Sequence, residues 1–188
     1  MEFGFASTGD SIIEAFPQQV EGRTFLVTGP SPGGIGAETA LTLAKGNPSR
    51  LILAGRSKSK IEPLIQEISE NYPDVSIDFI TLDLGSLASA RRAAADVQAL
   101  GVKLDVLILN AAIMATPFQK TVDGFEGQFG TNHLGHFLFT NLLLGLLPTS
   151  SSPESRIVVV ASSAHALAET NFDGKNYAYT VSQAFPTK

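Results

Sequence analysis

This 188-residue sequence predicts a doubly wound α/β fold, a parallel sheet with helices on both faces. Short runs rich in Val, Ile and Leu alternate along the chain with longer stretches of helical character. Those runs are continuously apolar rather than alternating, as expected of strands covered on both sides. A glycine cluster, Thr28-Gly29-Pro30-Ser31-Pro32-Gly33-Gly34-Ile35-Gly36, lies between the first apolar run and the first helical stretch.

The elements follow in order. Residues 1–20 are expected to form a leader with one short helical patch at 12–16 that packs against the outside of the fold, and residues 21–188 a single Rossmann-like domain. Strands are predicted at 24–28, 50–54, 77–82, 106–109 and 157–161, and helices at 35–45, 60–71, 87–100 and 125–147. Asn47-Pro48 and Tyr72-Pro73 close two of the helices, because a residue before proline resists the helical region. The order βαβαβαβαβ is that of a Rossmann-like sheet.

A strand that ends in a glycine turn and feeds a helix aims unpaired N–H groups and a positive dipole end at one point, which suits a pyrophosphate. In this loop, which includes Ser31 and Ile35, Gly29 permits the tight turn and Gly34 lets the backbone approach phosphate. Gly36 brings helix close to strand.

Composition excludes several alternatives. An apolar content of 44% and a net charge of -5 describe a globular chain without a nucleic-acid surface. With no cysteine, thiolate sites are absent, and His133, His136 and His165 form no ligand set, so no metal is expected. The N-terminus shows no signal-peptide pattern, and the most apolar segment, 134–147, is too short to span a bilayer; a cytoplasmic protein without a membrane span is expected.

Taken together, the motifs resemble those of the short-chain dehydrogenase/reductase superfamily, most closely its retinol-dehydrogenase-like and fungal oxidoreductase branch, from about Glu21 to Tyr179. Asp83-Leu84 resembles the family's adenine-contacting pair, and Asn110-Ala111-Ala112-Ile113 its Asn-Asn-Ala-Gly motif. Thr131-Asn132-His133-Leu134-Gly135-His136-Phe137 resembles the family's asparagine-bearing helix. Plainer readings stand beside these: Asp83 as a helix cap, Asn110 as a turn former, and the histidines as packed helix residues.

Charge near the second strand bears on the cofactor. Where an NAD-binding chain places Asp or Glu about twenty residues beyond the last glycine, this sequence has Ala54-Gly55-Arg56-Ser57-Lys58. Arg56 is suited to grip a 2′-phosphate and Lys58 to add positive field, so NADP(H) is expected over NAD(H). The plainer reading makes Arg56 a solvated loop residue.

The resemblance implies a catalytic set of Asn, Ser, Tyr and Lys acting on a small apolar carbonyl or alcohol substrate. Asn132 matches the asparagine, expected to order a relay water. Ser162, with Ser163 as the alternative, matches the serine, and Tyr179, with Tyr177 as the alternative, matches the tyrosine. Gln183 stands where the family's lysine binds ribose and lowers the tyrosine pKa. Two further departures follow. Four residues rather than three separate Gly29 from Gly34, with Gly33 expected to take the extra turn, and the family's C-terminal region is expected to be missing. Without a sixth strand, 157–161 is expected to be an exposed edge, and that edge or helix 125–147 is the candidate surface for a homo-oligomer. An inactive nucleotide-binding or interaction protein is the alternative function.

Overall fold

Thr24–Thr28 (β1) is buried along its whole length and runs through the middle of a five-stranded sheet. In the computed structural model, which describes residues 3–148 and 154–162, the other strands are Arg50–Gly55 (β2), Ser76–Thr81 (β3), Val106–Leu109 (β4) and Arg156–Val159 (β5). All pair in parallel in the order β3-β2-β1-β4-β5, with Leu26 opposite Ile52 on one side and Leu107 on the other. The reversal of strand order beside β1 opens a crevice between the ends of β1 and β4.

Side-chain alternation splits the core in two. Phe25, Val27, Leu51 and Leu53 point to the face covered by Ile35–Lys45 (α2) and Lys58–Asn71 (α3), where Ala40, Leu43, Leu64 and Ile68 meet them. Leu26, Ile52, Leu107 and Leu109 point to the opposite face, against Leu87–Ala99 (α4) and His136–Leu143 (α6), which bring Ala90, Ala93, Val97, Phe139 and Leu143. Both faces are therefore apolar, and burying each Leu or Ile stabilises the fold by about 1.5–3 kcal/mol.

The strand ends opposite the crevice are tied by Arg23. Its guanidinium donates to the carbonyls of Gln19 (3.1 Å) and Glu154 (2.8 Å), while Asp105 accepts from the Thr24 N–H at 2.9 Å. One buried arginine thus links the entrances of β1 and β5. The leader forms its own helix, Gly9–Ala15 (α1), which lies on α2 with Asp10 paired to Lys45 at 2.6 Å.

The predicted helix at 125–147 is replaced by a composite. Gly127–Phe129 (α5) continues as a π-helical stretch, Gly130–Gly135, then α6 and a 3-10 turn, Leu144–Leu146. Gly130 faces the Thr121 side chain and Gly135 faces the Leu84 carbonyl, each without space for a β-carbon. The glycines weaken regular winding and allow close approach.

The last strand also differs from expectation, spanning Arg156–Val159 rather than 157–161. Its partner β4 has four residues, so the ladder ends at Leu109 opposite Val159. Among the described residues β5 is the outer strand beside β4, with Ile157 42% and Val159 65% exposed. No described helix is long and apolar enough to cross a membrane.

Candidate functional site

The glycine loop leaves β1 through Gly29, at φ +67°, and takes a second left-handed step at Gly33, φ +74°. Gly33 is thus a second point at which the loop turns sharply. Ser31 donates its N–H to the Gly29 carbonyl and accepts from the Gly34 N–H at 3.0 Å, so the loop folds back on itself. Gly34 then caps α2 without any side-chain bond. The first-turn amides and the positive end of α2 have no side-chain cap competing with an anion.

Two close approaches shape this corner. A β-carbon at Gly29 would lie 2.8 Å from Ala111, and one at Gly36 would lie 2.7 Å from the Gly29 carbonyl oxygen and overlap the Asn110 amide. Asn110 spends that amide on the carbonyls of Thr28 (2.9 Å) and Gly29 (3.1 Å). The end of β4 is thereby fastened to the glycine loop, as more than a turn former.

Between these elements lies a cleft of about 780 Å³. Gly29, Ser31, Gly34, Ile35, Gly36, Arg56, Asp83, Leu84, Asn110 and Ala111 all line it. Gln183, Tyr179, Tyr177 and Ser163 lie outside the described residues. Arg56 is exposed at the end of β2 and forms no ion pair with a described carboxylate. Lys60, rather than Lys58, lines the cleft beside it. Asp83 is no helix cap: its carboxylate accepts the Gly85 N–H at 2.9 Å, while Ser86 caps α4.

Asn132, in the π-helical stretch, does not itself line the cleft but grips Ile113, which does, accepting its N–H at 2.9 Å and donating to its carbonyl at 2.7 Å. The side chain expected to order a water is committed to backbone. Its own carbonyl lies 3.0 Å from His136 Nδ1, and His136 Nε2 lies 3.0 Å from the Thr28 hydroxyl. That hydroxyl accepts the N–H groups of Asn110 and Ala111, each at 3.0 Å. Burial lowers the His136 pKa below its ordinary 6.5, with the Asn132 carbonyl opposing the shift. Ser162 is exposed, three residues beyond β5 at the same end of the sheet.

A cofactor with a pyrophosphate fits these residues: the glycine corner leaves the space that two β-carbons would fill, and an uncapped helix end faces the cleft. The family model for short chain dehydrogenases matches residues 23–180. The chain belongs to the short-chain dehydrogenase family.

Among its relatives, human polyprenol dehydrogenase is 40% identical over 167 residues, covering 88% of this chain and 50% of that protein. Human retinol dehydrogenase 14 is 39% identical over 182 residues, covering 90% and 53%. The chain thus spans about half the length of those curated relatives. A short chain dehydrogenase from Escherichia coli CFT073, solved in complex with NADPH, superposes with a TM-score of 0.68 at 25% identity, covering 89% of this chain and 68% of its own.

Sequence reasoning missed Lys60, Gln119 and the bonds made by His136. Lys60 had a signal, since it lies only two residues beyond Lys58 on the same helix. Gln119 had none, coming from an irregular loop. For His136 the sequence indicates only a packed helix residue.

Proposed function

We propose that this chain carries the nucleotide site of an NADP(H)-dependent oxidoreductase that interconverts an alcohol and a carbonyl on a small apolar substrate. The observation that carries this reading is the uncapped N-terminus of α2 opening onto a cleft whose β2 end presents Arg56 and no carboxylate. The NADPH bound by the Escherichia coli relative supports the choice of cofactor.

In this assignment the glycine loop, with Ser31, Ile35 and Gly36, holds the pyrophosphate. Arg56 and Lys60 face the 2′-phosphate, while Asp83 and Leu84 bound the adenine side. Asn110 and Ala111 form the wall toward the nicotinamide, which supplies or accepts a hydride when bound. Ile113 gives the cleft an apolar lining on this side, with the exposed Met114 next to it in the chain, which favours an apolar substrate.

Ser162 donates a hydrogen bond to the substrate oxygen, and the Tyr179 hydroxyl gives that oxygen a proton during reduction or takes one during oxidation. Asn132 keeps its wall in register through Ile113. Gln183 offers ribose an amide hydrogen bond but no charge. That neutral amide is the observation favouring the second reading, an inactive nucleotide-binding protein, because an unassisted phenol titrates near ~10.

Deuterium transfer separates the readings. NADPH deuterated at C4 is incubated with the chain and a panel of apolar aldehydes and ketones, and the alcohol products are weighed by mass spectrometry. Label in the product, lost in Tyr179→Phe and reduced in Ser162→Ala, is the expected result. NADPH binding without transfer establishes the inactive reading, and absence of binding overturns the nucleotide site itself.

A further inference from the structure

The cleft wall formed by residues 110–113 is held inside a closed ring of bonds, and His136 is the member whose chemistry can change. The ring runs from the Thr28 hydroxyl to His136, on to the Asn132 carbonyl, and through the Asn132 side chain to Ile113. It returns along the chain to Ala111 and Asn110, whose N–H groups end on Thr28.

Counting donors and acceptors fixes the tautomer. A carbonyl cannot donate, so His136 Nδ1 carries the hydrogen that bonds Asn132. Thr28 oxygen already accepts two N–H groups, so its own proton must be donated. The Ile108 carbonyl is 3.5 Å away, long for an O–H···O bond, whereas bare Nε2 is at 3.0 Å. Every member is satisfied only with a neutral imidazole.

We propose that His136, neutral and protonated on Nδ1, is the positioning residue that fixes residues 110–113 for the nucleotide, and that an added proton on Nε2 loosens this wall. An imidazolium N–H would point at a Thr28 oxygen with both lone pairs in use. Either Asn110 or Ala111 would then lose its acceptor, and that segment lines the cleft. The part concerning nucleotide rests on the reading above; the ring itself does not.

Among the described residues no charged group compensates the added proton. Arg91, Arg92 and Asp96 on α4 are exposed, as is His133 one turn back. Buried Glu126 spends its carboxylate on the N–H groups of Gln128 and Phe129, and Asp83 spends an oxygen on Gly85. Burial of His136 opposes protonation in the same direction as the hydrogen-bond count.

The test uses the full chain without nucleotide first. Amide hydrogen exchange at Asn110 and Ala111 is followed from about pH 8 to about pH 5 in wild type, His136→Gln and His136→Leu, each corrected for intrinsic exchange. Wild type is expected to lose protection of these two amides on acidification by about tenfold, and His136→Gln, which cannot take the proton, to show no such step. His136→Leu, which leaves the Thr28 proton only the distant Ile108 carbonyl, is expected to be less protected than wild type at high pH and to show no acid step.

NADPH affinity should follow the same pattern, falling about tenfold below pH 6.5 in wild type and without that extra step in His136→Gln. Glutamine should retain more of the high-pH affinity than leucine. Identical acid profiles in wild type and His136→Gln, in exchange and in binding, would overturn the proposal. Nitrogen NMR showing the Nε2–H tautomer would overturn it too. Wild type that holds the exchange pattern yet binds no NADPH would support the ring and overturn the nucleotide reading instead.

Discussion

Gly36 faces Asn110 with no room for a side chain between them, since a β-carbon at position 36 would overlap the amide that holds Thr28 and Gly29. This approach joins the first turn of α2 to the end of β4. It is where the fold's packing and the proposed chemistry meet.

Gly36→Ala should therefore destabilise the chain by about 1–3 kcal/mol, the range for overpacking, and weaken NADPH binding. Gly33→Ala meets nothing within 4 Å and suffers only from its φ of +74°, so about 1–2 kcal/mol is expected. Urea midpoints with a nucleotide titration distinguish the two. Equal binding by Gly36→Ala and wild type would remove the close approach from the account.

Asn132→Ala leaves both backbone groups of half-buried Ile113 without side-chain partners. A loss of about 1–2 kcal/mol is expected, with faster exchange at Ile113 and its neighbours. Asn132→Asp keeps the acceptor and loses the donor, and should fall between. An Asn132→Ala protein as stable as wild type would show that the clamp carries no weight.

Acid should act through His136 on global stability. Its folded pKa lies below the ordinary 6.5, so the unfolded chain takes up the proton first as pH falls. The contribution is intact above pH 6.5 and is lost as pH falls from there through the folded value. Urea midpoints across this window should decline more steeply in wild type than in His136→Gln. Parallel lines would contradict the assignment.

Gln183→Lys should raise any reductase rate and move its optimum to lower pH. An ammonium four residues beyond Tyr179 favours phenolate, each unit of pKa being worth about 1.4 kcal/mol. The measurement is rate against pH for both proteins with NADPH. An unchanged profile in an active wild type would show that the lysine role is not needed.

The sheet was legible because burial on both faces writes itself as unbroken apolar runs such as Thr24-Phe25-Leu26-Val27. The glycine corner was legible because only glycine serves at Gly29 and Gly36. The broken helix at Gly127–Leu146 was not, since periodicity reports a face and not the close approach of Leu84 to Gly135. The bonds of His136 were likewise hidden: its partners lie 4 and 108 residues away, and no local pattern joins Thr28 to His136.

The central claim is the nucleotide site with its phosphate-reading arginine, and paired titrations test it most directly. NADPH and NADH are titrated separately into the wild-type chain and into Arg56→Ala. Wild type is expected to bind NADPH at least about tenfold more tightly than NADH, through a charge-assisted contact to the 2′-phosphate, and Arg56→Ala to lose most of that difference while keeping its NADH affinity. Equal wild-type affinity for the two nucleotides, or a preference that survives in Arg56→Ala, would contradict the account.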